Sequence, residues 1–321
     1  MIVWVYIGII LLMRVVQHVF TKATSNEVPA NSVGYLKYTI FYQGIAGVLA
    51  FALFGVELIK GIDNLHFGET LLYASISGVA LVASCCCSLY VLSTGTMSLS
   101  AMFATAGLLV PTIASMFLYE EYLNIWQWLS IALFMIASWL LISASKSTYG
   151  KFTLKTFLIL VATLVLNGLT MLMQTMFGRE VIRGNVSLFS ALSFGAGVVV
   201  LLVLYIICVI YSNKKFEEQG ETVEKTVDFS LLPDNKKQMK LTKRTYLFAL
   251  FLAVAVFLIN QLATLSTPLI SPVILFAFIN GGSTIISAIV GAIMYKEKLS
   301  VRTIIGLVLG VGSLILLQVF A

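Results

Sequence analysis

Charge is what this chain has least of. Asp, Glu, Lys and Arg make up 11% of its 321 residues, against 60% hydrophobic residues and a mean hydropathy of +1.00. A soluble globular protein carries roughly 25% charged residues, so a water-exposed surface of ordinary size could not be covered. Lipid has to replace water around most of the outside. Histidine is scarcer still, with His18 and His66 alone. No HExxH, GxSxG or phosphate-binding loop occurs, and no pair of intramembrane carboxylates. We therefore expect no enzyme, no catalytic residue, no metal and no cofactor, and any drive must come from a gradient rather than ATP. The four cysteines, Cys85, Cys86, Cys87 and Cys208, have neither zinc spacing nor a CxxC pair. The first three are consecutive, so on a helix they point three ways and act as small hydrophobes. The net charge of +6 sits in loops and no basic face is interleaved with aromatics, which argues against nucleic acid.

What is present is a series of long apolar runs. A span needs about 20 mainly apolar residues to cross a hydrocarbon core. Breaks at charge, Gly, Pro and Asn clusters give ten spans, at about 2–21, 34–58, 69–93, 97–118, 125–144, 155–177, 187–211, 245–265, 271–294 and 301–320. They must be helices, because lipid offers no partner to an unpaired backbone amide. Ile2 to Phe20 has no positive charge before it and Lys22 after it, which reads as a retained first span rather than a cleavable signal. The polar stretch 212–241 alternates Lys with Glu and Asp and has too few apolar residues to bury a core. It is expected to be a solvated, mobile linker.

The chain also repeats itself. When the second half is slid back onto the first, Tyr119-Glu120-Glu121-Tyr122-Leu123-Asn124 meets Tyr295-Lys296-Glu297-Lys298-Leu299-Ser300. Asn124 and Ser300 are both residues that cap a helix start. The match falls at the same ordinal hairpin in each half. Five spans per half is odd, so a duplicated half enters from the opposite side, which makes 1–145 and 155–321 inverted repeats. The expected fold is an all-α membrane protein of ten transmembrane helices in two inverted five-helix repeats.

With these features the sequence resembles the drug/metabolite transporter superfamily, in its ten-span duplicated (EamA-like) branch. The resemblance rests on Leu118–Leu123 running into Trp126–Ile142, and on Met294–Leu299 running into Ile304–Leu316. Phe20, Lys22 and Lys37 add the pattern of the opening hairpin. The Trp-Gly common in that family's first span is missing here, and Ser130 stands where Gly306 would lead one to expect glycine. The resemblance implies a transporter.

Polar groups inside the spans are the candidates for binding, because hydrocarbon makes them costly. Arg14 lies near the middle of the first span, with Gln17 and His18 on roughly the same face. Further candidates are Tyr42, Asn167, Gln174 and Asn280, with Tyr38, Gln43, Tyr90, Asn260 and Gln261 beside them. Each amide can equally serve as packing glue between helices. A guanidinium cannot shed its proton, and Glu57, Glu120, Glu121 and Glu297 all lie near span ends. Arg14 thus either contacts backbone carbonyls and water or awaits an anion. The missing mid-span acid argues against an exporter of cationic drugs. Pro111 interrupts span four, and Gly281-Gly282-Ser283 is a small-residue pause in span nine that the repeat sets against Thr105-Ala106-Gly107.

Two functions fit these residues. One is a secondary transporter that moves a small polar or anionic metabolite by alternating access. The other is a non-transporting membrane sensor or assembly subunit that uses the 212–241 linker. The expected partners are a small-molecule solute and the lipid bilayer, as a monomer or dimer in the plasma membrane of a prokaryote. Lys22 and Lys37, Lys146, Lys151 and Lys155, the 212–244 loop, and Lys296, Lys298 and Arg302 fall in alternate loops, whereas the other set holds Lys60, Arg179 and Arg183. The positive-inside rule puts the first set in the cytoplasm and both termini outside.

Overall fold

The computed structural model describes residues 2–25, 27–28, 32–59, 66–94, 97–118, 124–149, 153–181, 184–218, 241–267, 269–270, 272–296 and 300–319. Among these the chain is all helix, with no strand. The helices are α1 (Ile2–Ser25), α2 (Ser32–Ile59), α3 (Phe67–Thr94), α4 (Met97–Thr105), α5 (Leu109–Leu118), α6 (Ile125–Tyr149), α7 (Leu154–Glu180), α8 (Val186–Glu218), α9 (Lys243–Ser266), α10 (Pro272–Met294) and α11 (Val301–Val319). Six of them (α1, α2, α3, α7, α8 and α9) are long and apolar enough to cross a membrane. Shorter apolar runs occupy Met102–Pro111, Ile125–Leu141, Gly282–Met294 and Val301–Ser313. The outward faces are bare of polar groups: Val48, Met135, Trp139, Ile210 and Val308 are each more than 60% exposed. An apolar surface of that extent suits lipid and not water.

The helix starts follow from capping chemistry. Asn124 Oδ1 accepts from the Gln127 amide at 3.0 Å while Gln127 Oε1 accepts from the Asn124 amide at 2.8 Å, a reciprocal capping box at α6. Ser300 Oγ accepts from the Thr303 amide at 3.2 Å at α11, so both caps expected from the repeat are made. Thr153, Asn185 and Thr242 do the same for α7, α8 and α9. The hairpin residues 119–123 and 297–299 lie outside the described residues.

Span four breaks where proline requires it. A 3₁₀ turn, Ala106–Leu108, separates α4 from α5. Pro111 has no amide for the Gly107 carbonyl, and its ring crowds that carbonyl. α10 shows no matching break, for it stays helical through Gly281, Gly282 and Ser283. The expected pause there is corrected: α10 runs on unbroken, and at Gly282 it passes close to α1, where a Cβ would lie 2.8 Å from Leu11 Cδ2. A second correction concerns the linker, because α8 continues to Glu218 and takes in 212–218. Residues 219–240 lie outside the described residues.

Side-chain bonds define the two ends of the bundle. At one end Lys22 Nζ donates to the Leu92 carbonyl at 3.1 Å, Tyr38 Oη to Thr24 Oγ1 at 3.0 Å, and Tyr295 Oη to the Val19 carbonyl at 2.6 Å. Arg244 pairs with Glu27 at 3.4 Å and Lys155 lies over the Tyr90 ring there as well. This is the basic end. At the far end Asn185 and Ser187 donate to the two oxygens of Glu57 at 2.9 and 2.7 Å, and Tyr73 donates to Glu180.

Helix contacts recur in pairs. α1 packs on α9 and α10, and α7 packs on α3 and on α4 with its 3₁₀ turn. α2 packs on α9 as α8 does on α3, while α2–α8, α4–α10 and α6–α11 are mutual pairs. The tightest seam is α3–α8. A Cβ on Gly78 would stand 2.7 Å from the Ser193 carbonyl carbon and closer still to its oxygen. Backbone cannot yield as a side-chain tip can, so Gly78→Ala is expected to cost about 3 kcal/mol of stability. Thermal unfolding of the purified protein should register this, with Gly55→Ala, where nothing lies within 4 Å, as the silent control.

Candidate solute-binding site

Between α1, α3, α4, α7, α9 and α10 lies a cavity of about 120 Å³. At about 30 Å³ per water in the liquid, that is room for a few waters. Its first wall is a stripe of α1: Arg14, Gln17, His18 and Thr21 stand at i, i+3, i+4 and i+7, one face of a helix. The facing wall is the same stripe on α7, formed by Asn167, Thr170, Met171 and Gln174. α3 contributes Leu81, Ser84, Cys85 and Ser88, and α9 contributes Val256, Ile259, Asn260 and Ala263 in the same spacing. α4 adds Ser100 and Ala104, and α10 adds Ile279 and Ser283. Within each of these three helix pairs every residue keeps one constant sequence offset to its counterpart. Tyr42, Leu89, Leu92 and Leu252 complete the lining without a counterpart, and all four lie toward the basic end.

Of the residues singled out in the sequence, the cavity gathers Arg14, Gln17, His18, Tyr42, Asn167 and Gln174, with Asn260 beside them. The Asn280 side chain lies outside the described residues. Tyr38, Gln43, Tyr90 and Gln261 do not line it. Gln261 Nε2 donates to Ser187 Oγ at 3.0 Å, a packing contact between α9 and α8. Sequence reasoning missed Thr21, Ser84, Ser88, Ser100 and Thr170. The signal that finds them is the shared i, i+3, i+4, i+7 spacing in both halves. In the cavity Ser283 keeps the spacing to Ile279 that Ala104 keeps to Ser100, an offset different from the one that set Ser283 against Gly107 in the sequence.

The polar groups have definite partners. Arg14 Nη1 donates to Gln17 Oε1 at 2.8 Å, while Arg14 Nε is buried and has no hydrogen-bond partner. His18 Nε2 and Ser283 Oγ share a bond of 2.8 Å, which ties α1 to α10. Across the cavity Gln174 Nε2 donates to Asn260 Oδ1 at 3.3 Å, and Asn260 Nδ2 donates to the Val256 carbonyl at 2.9 Å. Asn167 Nδ2 donates to the Ala104 carbonyl at 2.5 Å, beside the break in span four. There Gly107 and Gly168 bring the 3₁₀ turn and α7 into backbone contact: a Cβ on Gly107 would lie 2.7 Å from the Gly168 nitrogen. The three consecutive cysteines do point three ways. Cys85 Sγ accepts from Gln43 at 3.5 Å at the cavity, Cys86 Sγ lies 3.6 Å from Thr39 Oγ1, and Cys87 hydrogen-bonds Thr163.

No protein-family model matches the chain. No curated protein matches it either. A solved structure described only as the crystal structure of a protein is similar over 97% of this chain and 94% of its own, with a TM-score of 0.59 at 12% identity. At that identity the likeness speaks for the fold alone. It extends over both halves of the chain.

Along its axis the cavity is asymmetric. Toward the far end it is floored by a buried apolar cluster that includes Ile7, Ile10, Ile259, Ala263 and Ile279. Carried over by the same offsets, these positions become Leu160, Thr163, Ser84, Ser88 and Ser100 toward the basic end. The far-end positions are hydrocarbon, and those at the same offsets are largely hydroxyl.

Proposed function

We propose that the chain is a secondary transporter that moves a small polar or anionic metabolite across a membrane by alternating access. It is built as ten spans in two inverted five-helix repeats, 1–145 and 155–321, after the manner of the duplicated drug/metabolite transporters it resembles. The observation that carries the reading is the central cavity, to which equivalent positions of both halves contribute opposing walls. A site shared between two inverted repeats is where such transporters hold their solute. The paired helix contacts support the same arrangement, since exchanging α1, α2, α3, α4–α5 and α6 for α7, α8, α9, α10 and α11 maps nearly every packed pair onto another pair that is also in contact.

Alternating access needs two plugs that close in turn, and the cavity has a candidate pair. The apolar cluster at the far end is closed here, and the unmatched lining residues carry the cavity toward the basic end. On this reading, with the basic loops in the cytoplasm, the cavity extends toward the inside. Reconstituted into proteoliposomes, the protein should give saturable flux of a solute that unlabelled solute competes away. A chain that binds its solute but never moves it would be the sensor instead.

Orientation is tested separately. A reporter active on only one side of the membrane, fused after Ala321, should signal from the outside. A cytoplasmic signal would reverse the assignment of the basic end.

A further inference from the structure

The charge pattern of the cavity narrows the solute class, on the reading of this cavity as the transporter's binding site. Arg14 is half committed. With Nη1 held by Gln17, the edge that carries Nε and the second terminal nitrogen remains, and Nε on that edge is buried without a partner. A guanidinium edge projects two N–H donors side by side, the spacing of the two oxygens of one carboxylate. An orphan donor in a buried site is costly unless something comes to accept from it. Lys22, eight residues further along α1, is buried at the basic end and bonds the carbonyl of the cavity residue Leu92. Among the described lining residues there is no aspartate and no glutamate. The wall opposite Arg14 is neutral and can both donate and accept: the Gln174–Asn260 amide pair, with Thr170, Ser84 and Ser88 between.

We propose that the solute is a small hydroxylated or amide-bearing monocarboxylate without an ammonium group. Its carboxylate takes the free edge of Arg14, and its neutral polar end takes the amide pair. An α-amino acid would bring an ammonium within a few ångströms of the guanidinium and find no carboxylate to receive it. A neutral analogue would leave Nε unpaired. Each change is expected to weaken binding by about 30-fold.

Equilibrium binding to the full chain in lipid nanodiscs tests this with two matched sets of probes. One set is glycerate, glyceramide and serine, and the other is gluconate, gluconamide and 2-amino-2-deoxygluconate. In at least one set the hydroxy acid should bind about 30-fold tighter than both its amide and its amino acid. Arg14→Gln should bring the acid down to the level of the amide. The inference is overturned if neither acid binds, if an amide matches its acid, or if an amino acid matches its hydroxy acid. These comparisons use the unmodified protein, so they decide the matter even if Arg14→Gln does not fold. Flux of an amino acid would overturn this inference and leave the transporter reading standing. Acid-selective binding without flux would do the reverse.

Discussion

Arg14→Ala should lower solute affinity and flux by about 100-fold or more, because the lost contact is a two-pronged, charge-assisted one in a site shielded from bulk water. Arg14→Lys keeps the charge but offers a single ammonium point instead of a planar edge, so an intermediate loss of about tenfold is expected. Neither variant should unfold. Among the protein's own groups the guanidinium is balanced by one neutral amide oxygen, that of Gln17, and its Nε is buried with no protein partner. A charge with so little compensation costs stability rather than adding it, so Arg14→Ala should melt at the same temperature as the parent or above it. That combination separates a binding role from a structural one: a structural arginine would lose stability and function together. Normal transport by Arg14→Ala, or a guanidinium found reaching a lipid headgroup, would sink the assignment.

Much of this arrangement was readable in the sequence, for reasons that differ by element. Helix ends were legible where the cap is a side chain, as at Asn124 and Ser300, because capping is local chemistry. The break near Pro111 was legible because a missing amide acts on the carbonyl four residues back wherever the chain goes next. Arg14, Gln17 and His18 stood out because hydrocarbon tolerates few such groups. The cavity serines did not. A serine in a helix can satisfy itself on the carbonyl four residues back, as Ser130 and Ser138 do here, so its presence in a span carries little information alone. Ser84 and Ser88 become significant only when set against Ile259 and Ala263 across the bundle. The end of α8 was missed for another reason: hydropathy marks where a helix leaves lipid, not where the helix itself ends. The pause expected at Gly281–Ser283 failed because composition cannot distinguish a glycine that breaks a helix from one where two helices pass close.

The second large effect concerns the two plugs. On the proposed alternating-access reading, the buried Ile259 and Ile279 close the far end, and the residues at the same offsets toward the basic end are Ser84 and Ser100. Burying an isoleucine side chain is worth about 2 kcal/mol or more, and that gain exists only while the far end is shut. A serine gains almost nothing from closure, because its hydroxyl is as well served by water. Converting both isoleucines to serine should therefore weaken far-end closure by about 4 kcal/mol, roughly a 1,000-fold change in the equilibrium between the two states. The readout is a cysteine in place of Ile7, a buried member of the same cluster, in a chain whose native Cys85 is serine. A membrane-impermeant thiol reagent applied from the far side should barely label that cysteine in the parent. In the double serine variant labelling should rise by about 100-fold or more. The converse variant, Ser84→Ile with Ser100→Ile, makes the plug at the basic end apolar and should open the far end in the same way by favouring closure of the other. If the far side stays unlabelled in both variants, the apolar cluster is ordinary core and not a gate. If only the double serine variant labels, the far plug is a gate but Ser84 and Ser100 do not form its counterpart.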